Sequence, residues 1–111
     1  GDDMTDREML ELAARAAGYV FGEYGGKPAR QVTTKIGAAW IYWNPREDDG
    51  DALRLAVYLE FEIDITSTGV AVRTRCGLKV LVNKTEEPDL CAAARLAITR
   101  AAAEIGRQME E

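Results

Sequence analysis

The chain has 111 residues, of which 47% are hydrophobic, and a net charge of −5 at pH 7. This length fits a single domain with its own hydrophobic core, and no stretch approaches the ~20 apolar residues that a membrane helix needs. The acidic balance argues against broad non-specific binding to nucleic acids. The chain contains no histidine, which excludes Ser-His and Cys-His catalysis and histidine-ligated metals.

The first residues and the two cysteines bear on the cellular compartment. Residues 1–3 are interpreted as left over from an expression vector, with Met4 as the natural start. No secretory signal peptide is expected, because the acidic start leads into a polar helix start. Cys76 and Cys91 are interpreted as reduced thiols of a cytoplasmic protein rather than as a disulfide, with Cys91 buried in an Ala-rich helix.

The first predicted helix begins at a capping box formed by Thr5 and Glu8, in which each side chain can bond to the other residue's backbone N–H. Gly18 ends this helix, as a glycine after a helix C-terminus does. Apolar residues recur between these two points at helical spacing and predict one buried face, made by Met9, Leu12, Ala13, Ala16 and Ala17.

Short strands are predicted after the first helix. Residues 19–21 form a candidate strand, glycines and Pro28 form a loop or hairpin turn, and residues 30–36 read weakly as a strand from their β-branched content. Residues 37–39 interrupt this strand, and residues 40–43 form the next one. Alternation along a strand places Trp40 and Tyr42 on one face.

An acidic turn and a second helix follow. Asn44 and Pro45 stop the strand, because proline restricts the residue before it and cannot donate to a strand ladder. Asp48, Asp49 or Asp51 is expected to cap the helix, since carboxylates favour a helix N-terminus. Four apolar residues at helical spacing predict its buried stripe, Ala52, Leu55, Ala56 and Leu59.

From Phe61 onwards the apolar period changes from helical to two, which predicts a three-stranded antiparallel meander with one polar face. Its turns are expected at residues 67–69 and 76–77. Pro88 and Asp89 open a last, Ala-rich helix with a narrow apolar stripe. We therefore predict an α+β fold of a single domain, residues 1–111, with the element order α-β-β-α-β-β-β-α. An antiparallel sheet, made of the meander plus one or two further strands, packs on three helices.

Three groups of side chains are candidate sites. The carboxylates of Glu47, Asp48, Asp49 and Asp51 could hold a divalent metal, but their spacing does not match a calcium loop, and we interpret them as an acidic turn and helix cap. No metal or cofactor is therefore predicted.

Aromatic residues form the second group. Trp40, Tyr42 and Trp43 could stack on a base or a partner, and we expect one face of this strand to pack in the core and the other to be half exposed.

Basic residues form the third group. Arg73, Arg75 and Lys79 could belong to a positive strip that also includes Lys27, Arg30, Lys35 and Lys84. Glu62 and Asp64 are natural cross-strand partners for the two arginines, so a charge-paired, solvated sheet face is the favoured interpretation.

A family resemblance rests on three segments: Trp43-Asn44-Pro45, the helix start Asp48-Asp49-Gly50-Asp51-Ala52-Leu53-Arg54-Leu55-Ala56, and Ala92-Ala93-Ala94-Arg95-Leu96-Ala97-Ile98 after Pro88-Asp89. They resemble small phage and prophage proteins of unknown function and, more distantly, the NinX-like family of lambdoid phages. The likeness covers about two thirds of the chain in order of elements, whereas the meander is longer and more regular than in that family. It implies a phage origin and the host cytoplasm, and it brings no catalytic residues.

These observations predict a non-enzymatic phage accessory protein that binds a host or phage protein, for instance one of a bacterial defence system. The expected partner surface comprises Trp40, Tyr42, Trp43, Glu47, Asp48 and Asp49. The alternatives are a nucleic-acid-binding module that uses Arg73, Arg75 and Lys79, and a metal-dependent enzyme that uses the acidic turn. A homodimer is considered through the spare sheet face or the Ala-rich helix, and no membrane association is expected.

Overall fold

The computed structural model describes residues 4–109, so the residues assigned to an expression vector lie outside the described part. The described chain is an α+β domain with three helices and two separate three-stranded antiparallel sheets. Its elements, in chain order, are α1 Asp6–Ala17, β1 Phe21–Tyr24, β2 Lys27–Thr34, β3 Gly37–Tyr42, α2 Asp49–Tyr58, β4 Glu62–Thr66, β5 Gly69–Arg73, β6 Lys79–Asn83 and α3 Leu90–Met109.

The predicted fold class is confirmed, with two differences in detail. Three strands rather than two precede α2, so the order is α-β-β-β-α-β-β-β-α. Strands β1 to β3 also form a sheet of their own, sheet A, instead of extending the meander β4 to β6, which is sheet B. The extra strand arises because Gly25 and Gly26, both with positive φ, form a tight hairpin turn where a loop was the alternative.

Helix boundaries follow the predicted caps. The Thr5 hydroxyl accepts from the Glu8 N–H at 3.1 Å and the Glu8 carboxylate accepts from the Thr5 N–H at 3.0 Å, which completes the capping box. Gly18 ends α1 in the left-handed conformation. Asp48 is the N-cap of α2, one of the three candidates, and its carboxylate accepts from the Asp51 N–H at 2.8 Å.

Helix α3 lies at the centre of the core, in contact with α1, α2, β5 and β6. It is therefore buried around much of its circumference rather than along the single stripe that the sequence predicts. Its closest neighbour is α1: a Cβ built on Gly106 would lie 1.9 Å from the Leu12 carbonyl oxygen. A side chain at position 106 would hold the two helices apart. The buried residues of α3 are Ala93, Leu96, Ala97, Ile98, Thr99, Ala101, Ala102, Ala103 and Gly106.

Sheet B buries one face under α3, in the phase that the alternation predicts. Val70, Val72 and Val82 are at most 2% exposed, and the strand register places them with Ile63 and Val80 on one side of the sheet. Cys91 is exposed on α3, so the expectation of a buried thiol was wrong. The helix turns its alanines towards its neighbours and leaves position 91 on the solvent side. Cys76 is likewise a free, exposed thiol.

Candidate partner-binding surface

Sheet A carries an exposed face of aromatic side chains. The register pairs Ala29 with both Gly22 and Tyr42, and Gln31 with Trp40, which places these side chains on one side of the sheet. The indole of Trp40 lies against Gly22, where a Cβ would be 2.8 Å from the ring. Only glycine leaves this space, so position 22 determines where the indole rests.

Tyr42 is the centre of this face. Its ring centroid lies 5.6 Å from that of Tyr24 at an interplanar angle of 46°, and the Lys27 ammonium lies 5.6 Å from the Tyr42 centroid, within cation–π range. Trp40, Tyr24 and Tyr42 nevertheless remain 36%, 54% and 55% exposed. We call Tyr24, Trp40 and Tyr42 the aromatic face.

Trp43 lies on the opposite side and has a different role. It is 3% exposed, with edge-to-face contacts to Tyr19 at 5.6 Å and to Phe21 at 6.1 Å between ring centroids. The Arg30 guanidinium covers Tyr19 at 4.1 Å from its centroid. Of the predicted packed face, Trp43 is buried but Ile41 is 42% exposed, so the prediction of one packed and one exposed face holds only at Trp43. Trp43 anchors sheet A in the core, so its side chain is not part of the exposed surface that the sequence assigned to a partner.

The acidic turn is held by hydrogen bonds to its own backbone and to arginines. Asp51 accepts from the Asn44 N–H at 2.9 Å and from the Arg54 guanidinium at 2.8 Å. The hydrogen bond to Asp51 raises the pKa of Arg54 above its ordinary value. The interpretation of this turn as a helix cap is therefore confirmed.

Asp49 pairs with Arg95 of α3 at 2.6 Å. The Arg95 Nε also donates to the Arg46 carbonyl at 2.9 Å, which fixes the turn on the helix. Residues 4–109 contain no group of three or more carboxylate or cysteine side chains that could hold a metal ion. Glu47 is exposed.

The structure brings part of the predicted partner surface together. Tyr42, Glu47 and Asp48 line one cleft of about 560 Å³, and Lys27 and Arg54 complete its rim. Charges of both signs therefore border the aromatic face. Sequence reasoning missed Tyr24, which it left inside a mobile turn. The sequence Tyr24-Gly25-Gly26-Lys27 indicates this hairpin, since two glycines between strand residues are typical of a two-residue turn. Such a turn pairs the residues on either side of it, here Tyr24 and Lys27.

The basic residues do not form a continuous strip. Arg73 pairs with Glu62 across the strands at 2.7 Å, as the alternation predicts, and Arg75 pairs with Glu60 at 3.3 Å. Lys79 lies opposite Arg73 in the register. Lys27 and Arg30, on sheet A, are engaged with aromatic rings. The charge-paired sheet face that the sequence favours is confirmed at Arg73. Arg75 lies in the turn after β5 rather than on the strand, and its partner is Glu60 instead of Glu62 or Asp64.

A second cleft, of about 630 Å³, lies between α1, α3 and the turn at residue 46. Asp6 pairs there with Arg46, whose buried Nε has no hydrogen-bond partner among residues 4–109. Glu86 pairs with Arg100 at 2.5 Å, which lowers the pKa of that carboxyl. Four carboxylates and three guanidinium groups line this cleft, so charges of both signs border it.

Within residues 4–109, no helix combines the length and the apolar character needed to cross a bilayer. No protein-family model matches the chain, and no curated protein or solved structure shows significant similarity to it.

Proposed function

We propose that this chain is a phage- or prophage-encoded accessory protein that binds a host or phage protein in the bacterial cytoplasm and catalyses no reaction. The phage origin rests on the sequence resemblance around Trp43-Asn44-Pro45 and the helix that follows it. A narrower form of the proposal is that the partner belongs to a host defence system.

The aromatic face carries the proposal of protein binding. Its three rings are exposed, and contacts with Gly22, with Lys27 and between the two tyrosines already hold them in place. Rigid aromatic side chains dominate the energetic centres of protein interfaces, because they bury large areas at a small loss of side-chain entropy. Lys27, Glu47 and Asp48 supply the polar rim that surrounds such centres.

The hydrogen bonding of the acidic turn supports a binding role rather than catalysis. Asp48 caps α2, Asp51 holds the Asn44 N–H and Arg54, and Asp49 is bound to Arg95. Ionised carboxylates committed to helix caps and arginines are poorly placed to accept protons from a substrate. The remaining carboxylate of the turn, Glu47, borders the aromatic face and is free to meet a partner.

Affinity capture from host lysate tests this proposal. Tagged wild-type protein should recover a specific partner, and W40S/Y42S should lose most of that recovery because both substitutions remove exposed aromatic area. The matched control is L53S/Y58S, which removes two apolar side chains of α2 that are 60% and 62% exposed. Equal recovery by all three proteins, or no partner at ample expression, contradicts the proposal.

A further inference from the structure

Strand β3 lies at the edge of sheet A, where β2 is its only neighbour in the strand order. Two hydrogen bonds show which of its backbone groups remain unpaired. The Trp43 N–H donates to the Pro28 carbonyl at 3.1 Å, and the Gln31 N–H donates to the Val20 carbonyl at 2.9 Å. The backbone N–H and C=O of one strand residue point the same way. The backbone groups of even-numbered residues of β2 therefore point towards β3, and those of odd-numbered residues point towards β1.

The same alternation applies to β3. Residues 37, 39 and 41 bond to their partners on β2, so the N–H and C=O groups of Ala38, Trp40 and Tyr42 point away from the sheet. The strand reads Gly-Ala-Ala-Trp-Ile-Tyr, without a charge or a proline. Natural sheets protect exposed edges with lysine, proline or bulges, and an edge that lacks them is a template for another strand.

We propose that β3 pairs antiparallel with β3 of a second copy of this chain, across a two-fold axis at Trp40. Outward-facing residues must meet outward-facing residues, so Trp40 lies opposite Trp40 of the second copy and Ala38 lies opposite Tyr42. Each of these residues then donates one backbone hydrogen bond and accepts one. The two copies of sheet A join into one continuous sheet, and their aromatic faces become a single surface.

Charge complementarity favours a second copy over an unrelated strand. In this register Lys35, at the tip of the β2–β3 hairpin, comes opposite Pro45 of the other copy, in the acidic turn after β3 and two residues before Glu47. Lys35 and Glu47 are exposed, and neither has an ion-pair partner among the described residues. No charged side chain lies between these two ends on β3, so self-pairing brings no like charges into contact.

The apolar side chains of β3 agree with this pairing. Ile41 is 42% exposed on the face opposite Trp40, and the register places it beside Ala39 of the second copy. The interface is small and relies on backbone hydrogen bonds, so the dimer is expected to dissociate on dilution. This proposal does not depend on a host partner, because it concerns the purified chain alone.

Sedimentation equilibrium of the purified protein, over about 10 μM to about 1 mM, tests the pairing in the range where small interfaces dissociate. The wild type should shift from the mass of one chain to that of two as concentration rises. A38P removes an outward N–H without touching the β2–β3 ladder, and the lost hydrogen bond occurs twice by symmetry. It should raise the dissociation constant at least about tenfold.

The register has its own test. W40K and W40E should each be monomeric, because the two-fold axis places like charges opposite each other, whereas an equimolar mixture should recover the two-chain mass. The control L81K adds a lysine at an exposed apolar position of sheet B and should dimerise like the wild type. Circular dichroism of each variant confirms that it is folded. A monomeric wild type at every concentration, a dimer that A38P does not weaken, or no recovery on mixing overturns the proposal.

Discussion

The two sheets of this protein share a topology and differ in what covers them. Each is a three-stranded antiparallel meander. Sheet B lies under α3, and its central valines are almost fully buried, whereas Ala29 is the one fully buried residue within the strands of sheet A. Sheet A is held by Trp43, which follows its last strand. The comparison shows that the same three-stranded architecture can serve as a buried scaffold, as in sheet B, or as an exposed surface, as in sheet A.

The substitution expected to destabilise the packing of α1 on α3 most strongly is Gly106→Ala. The added methyl group would meet the Leu12 carbonyl at 1.9 Å, so α1 and α3 must separate. We expect a loss of at least about 2 kcal/mol in the free energy of unfolding, even after the ~1 kcal/mol that alanine gains over glycine in a helix. Urea denaturation measures this change.

Gln108→Ala is the matched control for that experiment. It lies on the same helix and is exposed, so its effect should stay within about 0.5 kcal/mol. Similar stabilities of the two variants would show that the helices do not approach each other at position 106.

The same substitution in each sheet compares the two directly. Val72→Ala removes two methyl groups from a fully buried position of β5 and should cost about 2 kcal/mol, since both the transfer free energy and the cavity contribute. Val32→Ala changes a half-buried position of β2 and should cost less than half as much. Equal losses in thermal or urea unfolding would contradict the division into scaffold and presented surface.

The smallest of these effects concerns the N-cap of α1. Thr5→Ala should cost about 1 kcal/mol, because the helix loses its N-cap oxygen. The hydrogen bonds between Glu8 and Thr5 lower the pKa of Glu8 below its ordinary 4.5. Its stabilising contribution is therefore present above the unfolded-state pKa and disappears as pH falls through the lowered one.

Glu8→Gln tests the sign of that dependence. Unfolding measured from neutral pH into the acid range should lose stability more gradually in this variant than in the wild type, since the ionisable group is gone. A wild type and a variant with parallel pH profiles would show that the Glu8 carboxylate does not contribute. Thr5→Ala should flatten the profile only in part, because the backbone N–H of residue 5, which is the main cause of the lowered Glu8 pKa, still donates to the carboxylate.

Features set by neighbours in sequence were predictable. The Thr5 cap, the Asp48 cap and the alternation of β4 to β6 depend on residues within a few positions of one another. Trp40 and Tyr42 were placed on one face by the same two-residue period. These rules act locally, so the chain displays them directly.

Features set by distant contacts were not predictable from the chain alone. No local pattern in the sequence indicates that β1 to β3 form a sheet of their own, because this depends on which strand edges pair in the folded chain. Cys91 was expected to be buried because it stands among alanines, but the side of α3 that faces solvent is set by the distant elements packed on the helix. Tyr24 joins the aromatic face only through the register of the β1–β2 hairpin, and the role of Trp43 follows from its contacts with Tyr19 and Phe21.

The close approach of Gly106 to Leu12 also has a consequence for how the chain acquires its structure. These two positions are roughly 90 residues apart, which at ~5–20 residues per second corresponds to about 5–20 s of synthesis on a ribosome. Helix α1 therefore emerges long before α3, which covers it, whereas sheet B is complete only six residues before α3 begins. Until α3 is made, their apolar sides have no cover, and nascent chains should depend on cellular factors that shield such surfaces.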